Sequence, residues 1–302
     1  MNYLRFTLLL LIIAFFSISC YKKQASLIGK SIEDDKQELI SEGQKRTTYD
    51  RQSEPITTNK ITESPTINYK IRHALIIGNS QYRTLMPIPN ALNDINLVAK
   101  ALGILGFKTT ILTDFTISQF DEKWSYFKQD AINTEVLLIY YVGHGMAFEG
   151  NNYFLPVETN IKNCNDVRRQ GIKVADLIED ISKLNSIINL FYLDAFQQNN
   201  VINCNQLNSA SATDEILVKK RGVRLAEKST IPNLMFYNAS QGSGATPSTG
   251  KNGHFTKAFI DNLKIGIDSD ELMRKITNSV LIKTNQKQLP ETSGSLMDTF
   301  IF

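Results

Sequence analysis

Cysteine is scarce in this chain: Cys20, Cys164 and Cys204 are the only three in 302 residues. No Cys/His cluster stands at metal-ligand spacing, so the sequence offers no zinc module and implies neither a metal nor a cofactor. Glycine never builds a phosphate-binding loop, because Gly78-Asn79-Ser80 lacks both the spacing and the lysine. An excess of one charge is missing too. The 33 basic and 30 acidic residues leave a formal charge of +3, too even for a bulk field that would draw nucleic acid or an anionic surface. Any electrostatic function is therefore local. The apolar run Thr7 to Phe16 is well short of the roughly 20 residues that span a bilayer. What the chain does have is 42% apolar residues, with Tyr and Phe in quantity, enough to bury a core.

The run Thr7 to Phe16 follows Arg5 and leads through the small residues Ser17 and Ser19 to Cys20, the pattern of an export signal. A small residue just ahead of that cysteine resembles the lipobox of bacterial lipoproteins, which implies a diacylated Cys20 as the mature N-terminus. Ser17 departs from the usual Leu, and Lys22 and Lys23 blur the charge asymmetry, so a cleaved secretory signal and an uncleaved anchor stand beside this reading. Residues 1–20 are thus read as a signal peptide. Tyr21 to Ile67 is polar without a sustained period and reads as a flexible tether, with a surface helix over Asp34 to Glu42 as the alternative. The expected location is an exported, membrane-anchored lipoprotein, periplasmic or at the cell surface.

Beyond residue 67 short β-rich runs alternate with helical patterns. Strands are expected at Ile71 to Gly78, Phe107 to Thr113, Val136 to Val142, Ile187 to Leu193 and Leu234 to Ala239. Helices fit Ala91 to Leu105, Ile117 to Ala131, Val174 to Leu184, Phe255 to Leu263 and Asp270 to Ile282. The apolar strands lack strict alternation, which predicts a mostly parallel α/β sheet with helices on both faces, a three-layer domain over 68–302. Sites in such sheets form past the carboxyl ends of the strands, where His144 and Asp194 are expected to lie. Residues 198–232 form a long polar loop, and Gly242 to Gly253 reads either as a connector or as a loop on the rim of the site.

Two strand ends carry the chemistry. One reads Tyr141-Val142-Gly143-His144-Gly145; about fifty residues later the other reads Leu193-Asp194-Ala195-Phe196-Gln197. With Ala74 to Asn79, Asn93-Asp94, Leu105-Gly106-Phe107, Asn152 to Val157 and Ser295 to Phe300, the chain resembles bacterial caspase-like peptidases of the metacaspase and paracaspase group. The resemblance covers Ile71 to Phe302. It implies a histidine at 144, oxyanion amides at Gly145 and Phe196, and a cysteine nucleophile where this sequence carries Phe196. Gln197 likewise replaces the usual Arg. A phenyl ring cannot attack a carbonyl, so the expectation is a caspase-family domain without useful peptidase activity.

In the family, carboxylates at the positions of Asp94 and Asp194 recognise an Arg or Lys side chain, and two acids suit the planar guanidinium fork. The implied partner is a peptide or protein bearing Arg or Lys. The plainer alternative is that Asp94 stabilises the start of its helix while Asp194 braces a loop. Cys164 and Cys204 form an even pair for a disulfide in an exported protein, or supply a substitute nucleophile in a working Arg/Lys-specific endopeptidase. Related caspases pair through their last strand, so a homodimer is also consistent with the resemblance. A purely structural lipoprotein is the remaining reading.

Overall fold

The computed structural model describes residues 69–196, 232–240, 250–297 and 299–302. The expected signal, Cys20 with its expected lipidation, the expected tether, Cys204 and nearly all of the expected polar loop lie outside the described residues, as does most of Gly242 to Gly253.

Within them the chain runs β1 (Arg72–Gly78), α1 (Ala91–Ile104), β2 (Phe107–Thr113), α2 (Ile117–Asp130), β3 (Val136–Phe148), β4 (Asn151–Phe154), α3 (Cys164–Gln170), β5 (Ile172–Lys173), α4 (Val174–Ser182), β6 (Ile188–Phe196), β7 (Leu234–Asn238), α5 (His254–Asn262), α6 (Ser269–Lys283) and β8 (Glu291–Ser295). The main sheet has the order β2-β1-β3-β6-β7-β8. Its first five strands are parallel and β8 is antiparallel to β7. β4 and β5 add a small antiparallel extension to the far end of β3.

The near-continuous apolar strands follow from burial on two sides. Along β3, Leu138, Tyr140 and Val142 join α1, α5 and α6 in one core cluster. Their neighbours Leu137, Ile139 and Tyr141 join α2 and α4 in the other. This is the expected three-layer α/β arrangement, with both faces of the sheet sealed. Local chemistry sets the helix starts. Thr116 and Gln119 form a capping box at α2, and the Asp268 carboxylate accepts the Asp270 and Glu271 amides at α6.

The structure extends two strands beyond their expected ends. β3 runs through Gly143, His144 and Gly145 to Phe148, and β6 runs on to Phe196. His144 and Asp194 therefore lie inside strands rather than just past them. Parallel pairing supplies the reason: each strand's backbone groups are satisfied by the other as far as His144 opposite Phe196, so the glycines do not break the ladder. Cys164, expected in a polar segment, is the first residue of α3, whose capping box is formed by Asn163 and Asp166.

Candidate functional site

The site gathers at the carboxyl ends of β1, β3 and β6. Asn79, fully buried just after β1, sets the frame. Its Nδ2 donates to Leu155 O at 3.0 Å and its Oδ1 accepts from Phe115 N at 3.1 Å. Asp114 then accepts the Ser80 and Gln81 amides, which directs the β1–α1 connection towards His144.

His144 is 4% exposed and held on every side. Its backbone N–H donates to Tyr82 Oη at 2.7 Å, and its carbonyl accepts Tyr141 Oη at 2.6 Å and Leu155 N at 3.0 Å. The Tyr82 and His144 rings stand 4.5 Å apart. Nε2 lies 2.7 Å from Met86 O. A carbonyl can only accept, so Nε2 carries a hydrogen and donates it to Met86 O. The imidazole is thus fixed by its Nε2 contact and by the Tyr82 ring.

Opposite it the register is exact by residue: Val142 pairs with Asp194, Gly143 with Ala195 and His144 with Phe196. Adjacent strands are about 4.8 Å apart, so the backbone sets position 196 beside the histidine. Gly145 pairs with Phe154 of β4 in the same strand extension.

Gly143 is glycine because of this packing. A Cβ there would stand 2.6 Å from Tyr141 Cζ and 2.9 Å from Tyr82 Oη. Gly143→Ala should cost about 2–3 kcal/mol in urea denaturation, because neither ring can retreat from a filled core. An unchanged midpoint would show that the two tyrosines do not clamp His144.

Asp94 and Asp194 are brought together, each 1% exposed. Both Oδ2 atoms lie 3.1 Å from the point where a Gly253 Cβ would stand. Asp94 does not cap its own helix. Its oxygens accept Asn252 Nδ2 at 2.6 Å and Gly253 N at 3.0 Å, at the start of α5. Asp194 accepts Thr256 Oγ1 at 3.1 Å, and that hydroxyl also meets Tyr140 Oη at 2.9 Å. The pair therefore caps α5 from two other elements, where the amide dipoles favour negative charge. Burial nevertheless pushes Asp94 up to about 6. Burial, then the nearby Asp94 charge, pushes Asp194 up to about 7. Asp194 Oδ1 is buried and meets no hydrogen-bond partner among the described residues.

These features set a histidine, a facing strand position and two buried acids at the carboxyl ends of the central strands. The sequence model of the Caspase domain family matches residues 71–301. This chain belongs to that family. Human mucosa-associated lymphoid tissue lymphoma translocation protein 1 is 27% identical over 263 residues, 81% of this chain but 28% of that protein's length. The caspase-1 structure from Spodoptera frugiperda matches with a TM-score of 0.54 at 16% identity, covering 77% of this chain and 92% of that one. The structure of pro-sf-caspase-1 matches with a TM-score of 0.57 at 15% identity, covering 78% and 96%. At these identities the structural likeness shows the fold.

Seen as a caspase domain, the chain keeps the histidine scaffold and carries phenylalanine at the facing position. Cys164 opens α3, and its proposed partner Cys204 lies outside the described residues. No group of three metal-ligating side chains occurs among the described residues. Sequence reasoning did not find Tyr82, Met86, Asn252 or Thr256. Each acts on a site residue from 58 to 158 positions away in the chain, and none stands in a pattern that marks it.

Proposed function

We propose that this caspase-family domain is catalytically silent and binds a peptide or protein through an Arg or Lys side chain, while an acylated Cys20 ties it to a membrane. The observation that carries the reading is Phe196 in register with His144. The proton-accepting half of a dyad is built and oriented, and the residue facing it has no nucleophile to activate.

The acid pair supports recognition. Two buried carboxylates with raised pKa values favour a proton or a bound cation over two bare charges, and a guanidinium supplies both charge and a fork of donors. The unpartnered Asp194 Oδ1 is an acceptor left for such a donor. In the full chain, Asp94→Asn should weaken binding of an Arg-ended peptide about tenfold or more by calorimetry, the worth of one charge-assisted contact. Equal affinity in the two proteins would defeat the recognition reading.

A further inference from the structure

We propose that the end of the domain opposite the site is a membrane-docking face, resting on the phospholipid bilayer to which the N-terminus is tied; the inference builds on the lipid-anchor reading above. Exposed apolar side chains scattered singly carry no meaning, but here they are sorted. Six of the eleven large apolar residues exposed among the described residues lie at one end: Ile71, Ile104, Ile132, Ile187, Ile265 and Met297, each 46–78% exposed.

Topology puts them there. Ile71 and Ile187 immediately precede the parallel strands β1 and β6, and the Glu135 backbone bonds both, its N–H to Ile71 O and its carbonyl to Ile187 N. Ile104 ends α1 and Ile132 follows α2, the helices that return from the carboxyl end of one strand to the amino end of the next. Ile265 follows α5, beside Gly266, whose N–H donates to Phe302 O. Met297 follows the antiparallel β8, and its N–H donates to Asn233 Oδ1 just before β7.

The charges at this end are partly absorbed by the backbone. Arg72 donates to the carbonyls of Tyr69, Leu105 and Ile301, and Glu135 accepts the Lys70 and Ile71 amides. Lys108 pairs with Asp130 and Lys183 with Glu179 at this end, and Lys70, Lys264 and Asp270 are exposed beside them. Charges of both signs therefore rim the apolar surface, and the lysine stems can lie along it with their heads at phosphate headgroups.

The occupant follows from where the chain enters. β1 begins at this end, so the segment joining Cys20 to Tyr69 leaves from the apolar face and not from the site. Only the 48 residues from 21 to 68 separate Cys20 from the domain, which holds it at high effective concentration over the bilayer. A weak apolar face is then enough to dock, since no separate encounter has to be paid for. Docked this way, the carboxyl ends of the strands, with His144 and the acid pair, face away from the lipid and towards incoming peptides.

Two methionines test this within one sample. Met86, beside His144, is 64% exposed, and Met297, at the opposite end, is 78% exposed. The full acylated chain is bound to vesicles of phosphatidylcholine and phosphatidylglycerol, separated by flotation, and oxidised with hydrogen peroxide while each sulfoxide is followed by mass spectrometry. Met297 should oxidise about fivefold or more slowly than Met86 on vesicles, because oxidation follows exposure. The combined variant Ile104→Ser, Ile187→Ser and Ile265→Ser should float equally well and lose the protection. A chain that floats while both methionines oxidise alike overturns docking and leaves the anchor standing. A chain that does not float overturns the anchor, and docking with it. Protection of Met297 in the vesicle-free fraction overturns the bilayer as occupant in favour of a second copy.

Discussion

Phe196→Cys is expected to switch on hydrolysis of Arg- and Lys-ended fluorogenic peptides, from background in the native chain to a rate at least about 10³-fold higher. The expectation rests on what the fold already supplies. The register places position 196 opposite His144, Tyr82 and Tyr141 hold the His144 backbone, and Met86 O bonds its imidazole. Removing the nucleophile of a hydrolytic triad costs about six orders of magnitude where it has been measured, so regaining even half of that free energy is a large signal. Activity in Phe196→Cys alone, abolished again by His144→Ala, means that the dyad geometry and the basic subsite persist. Equal cleavage by the native chain would place the nucleophile elsewhere and remove the central argument for a silent domain. Labelling of the native chain by a thiol-directed peptide inhibitor would point the same way.

The acid pair predicts that the protein loses stability as pH rises through neutrality. Asp94 near 6 and Asp194 near 7 lie above the value of about 3.9 that an aspartate has in an unfolded chain. Between those limits the native state binds more protons than the unfolded state, so the slope of unfolding free energy with pH is negative. This contribution is complete below about pH 4 and is lost as pH passes 7. At about 1.4 kcal/mol per pKa unit the two groups together account for a loss on the order of 3–5 kcal/mol between pH 5 and pH 8. The groups packed around them, Tyr140 of β3, Thr256 of α5 and the Asn252 and Gly253 donors, carry no positive charge to offset it. His73, lowered by burial, has the opposite slope below its ordinary value, and Glu135 and Asp166, lowered mainly by amide hydrogen bonds, finish ionising below this window. Urea denaturation from pH 5 to 8.5 should therefore show the native chain weakening, and Asp194→Asn should flatten the curve and be more stable by about 2 kcal/mol at pH 8. Parallel curves for the two proteins would mean that Asp194 is not the group that titrates.

How far the fold was legible can be seen element by element. Helices α1, α2, α4, α5 and α6 and strands β1, β2 and β7 announced themselves through apolar period, and their ends lie within two residues of expectation. β8 did not, because Glu291-Thr292-Ser293-Gly294-Ser295 has no apolar pattern and exists as a strand by pairing with β7. β4 and β5 arise in the same way, from the end of β3. The Gly143-His144-Gly145 stretch read as a loop for the local reason that glycine favours turns, yet the neighbouring strand held it in the sheet.

The site divides along the same line. Residue types carried the candidate site into view: a histidine after an apolar run, a phenylalanine at the end of the next one, and aspartates at 94 and 194. Those are properties of individual positions, and the order of motifs along one chain is enough to expose them. Their surroundings are properties of the packed molecule. That Asp94 serves the start of α5 rather than its own helix, that Met86 orients His144, and that Tyr82 excludes any side chain from position 143 all depend on groups far apart in sequence meeting in a dry interior. Such contacts leave no period and no spacing behind, because burial and hydrogen-bond satisfaction are settled in three dimensions.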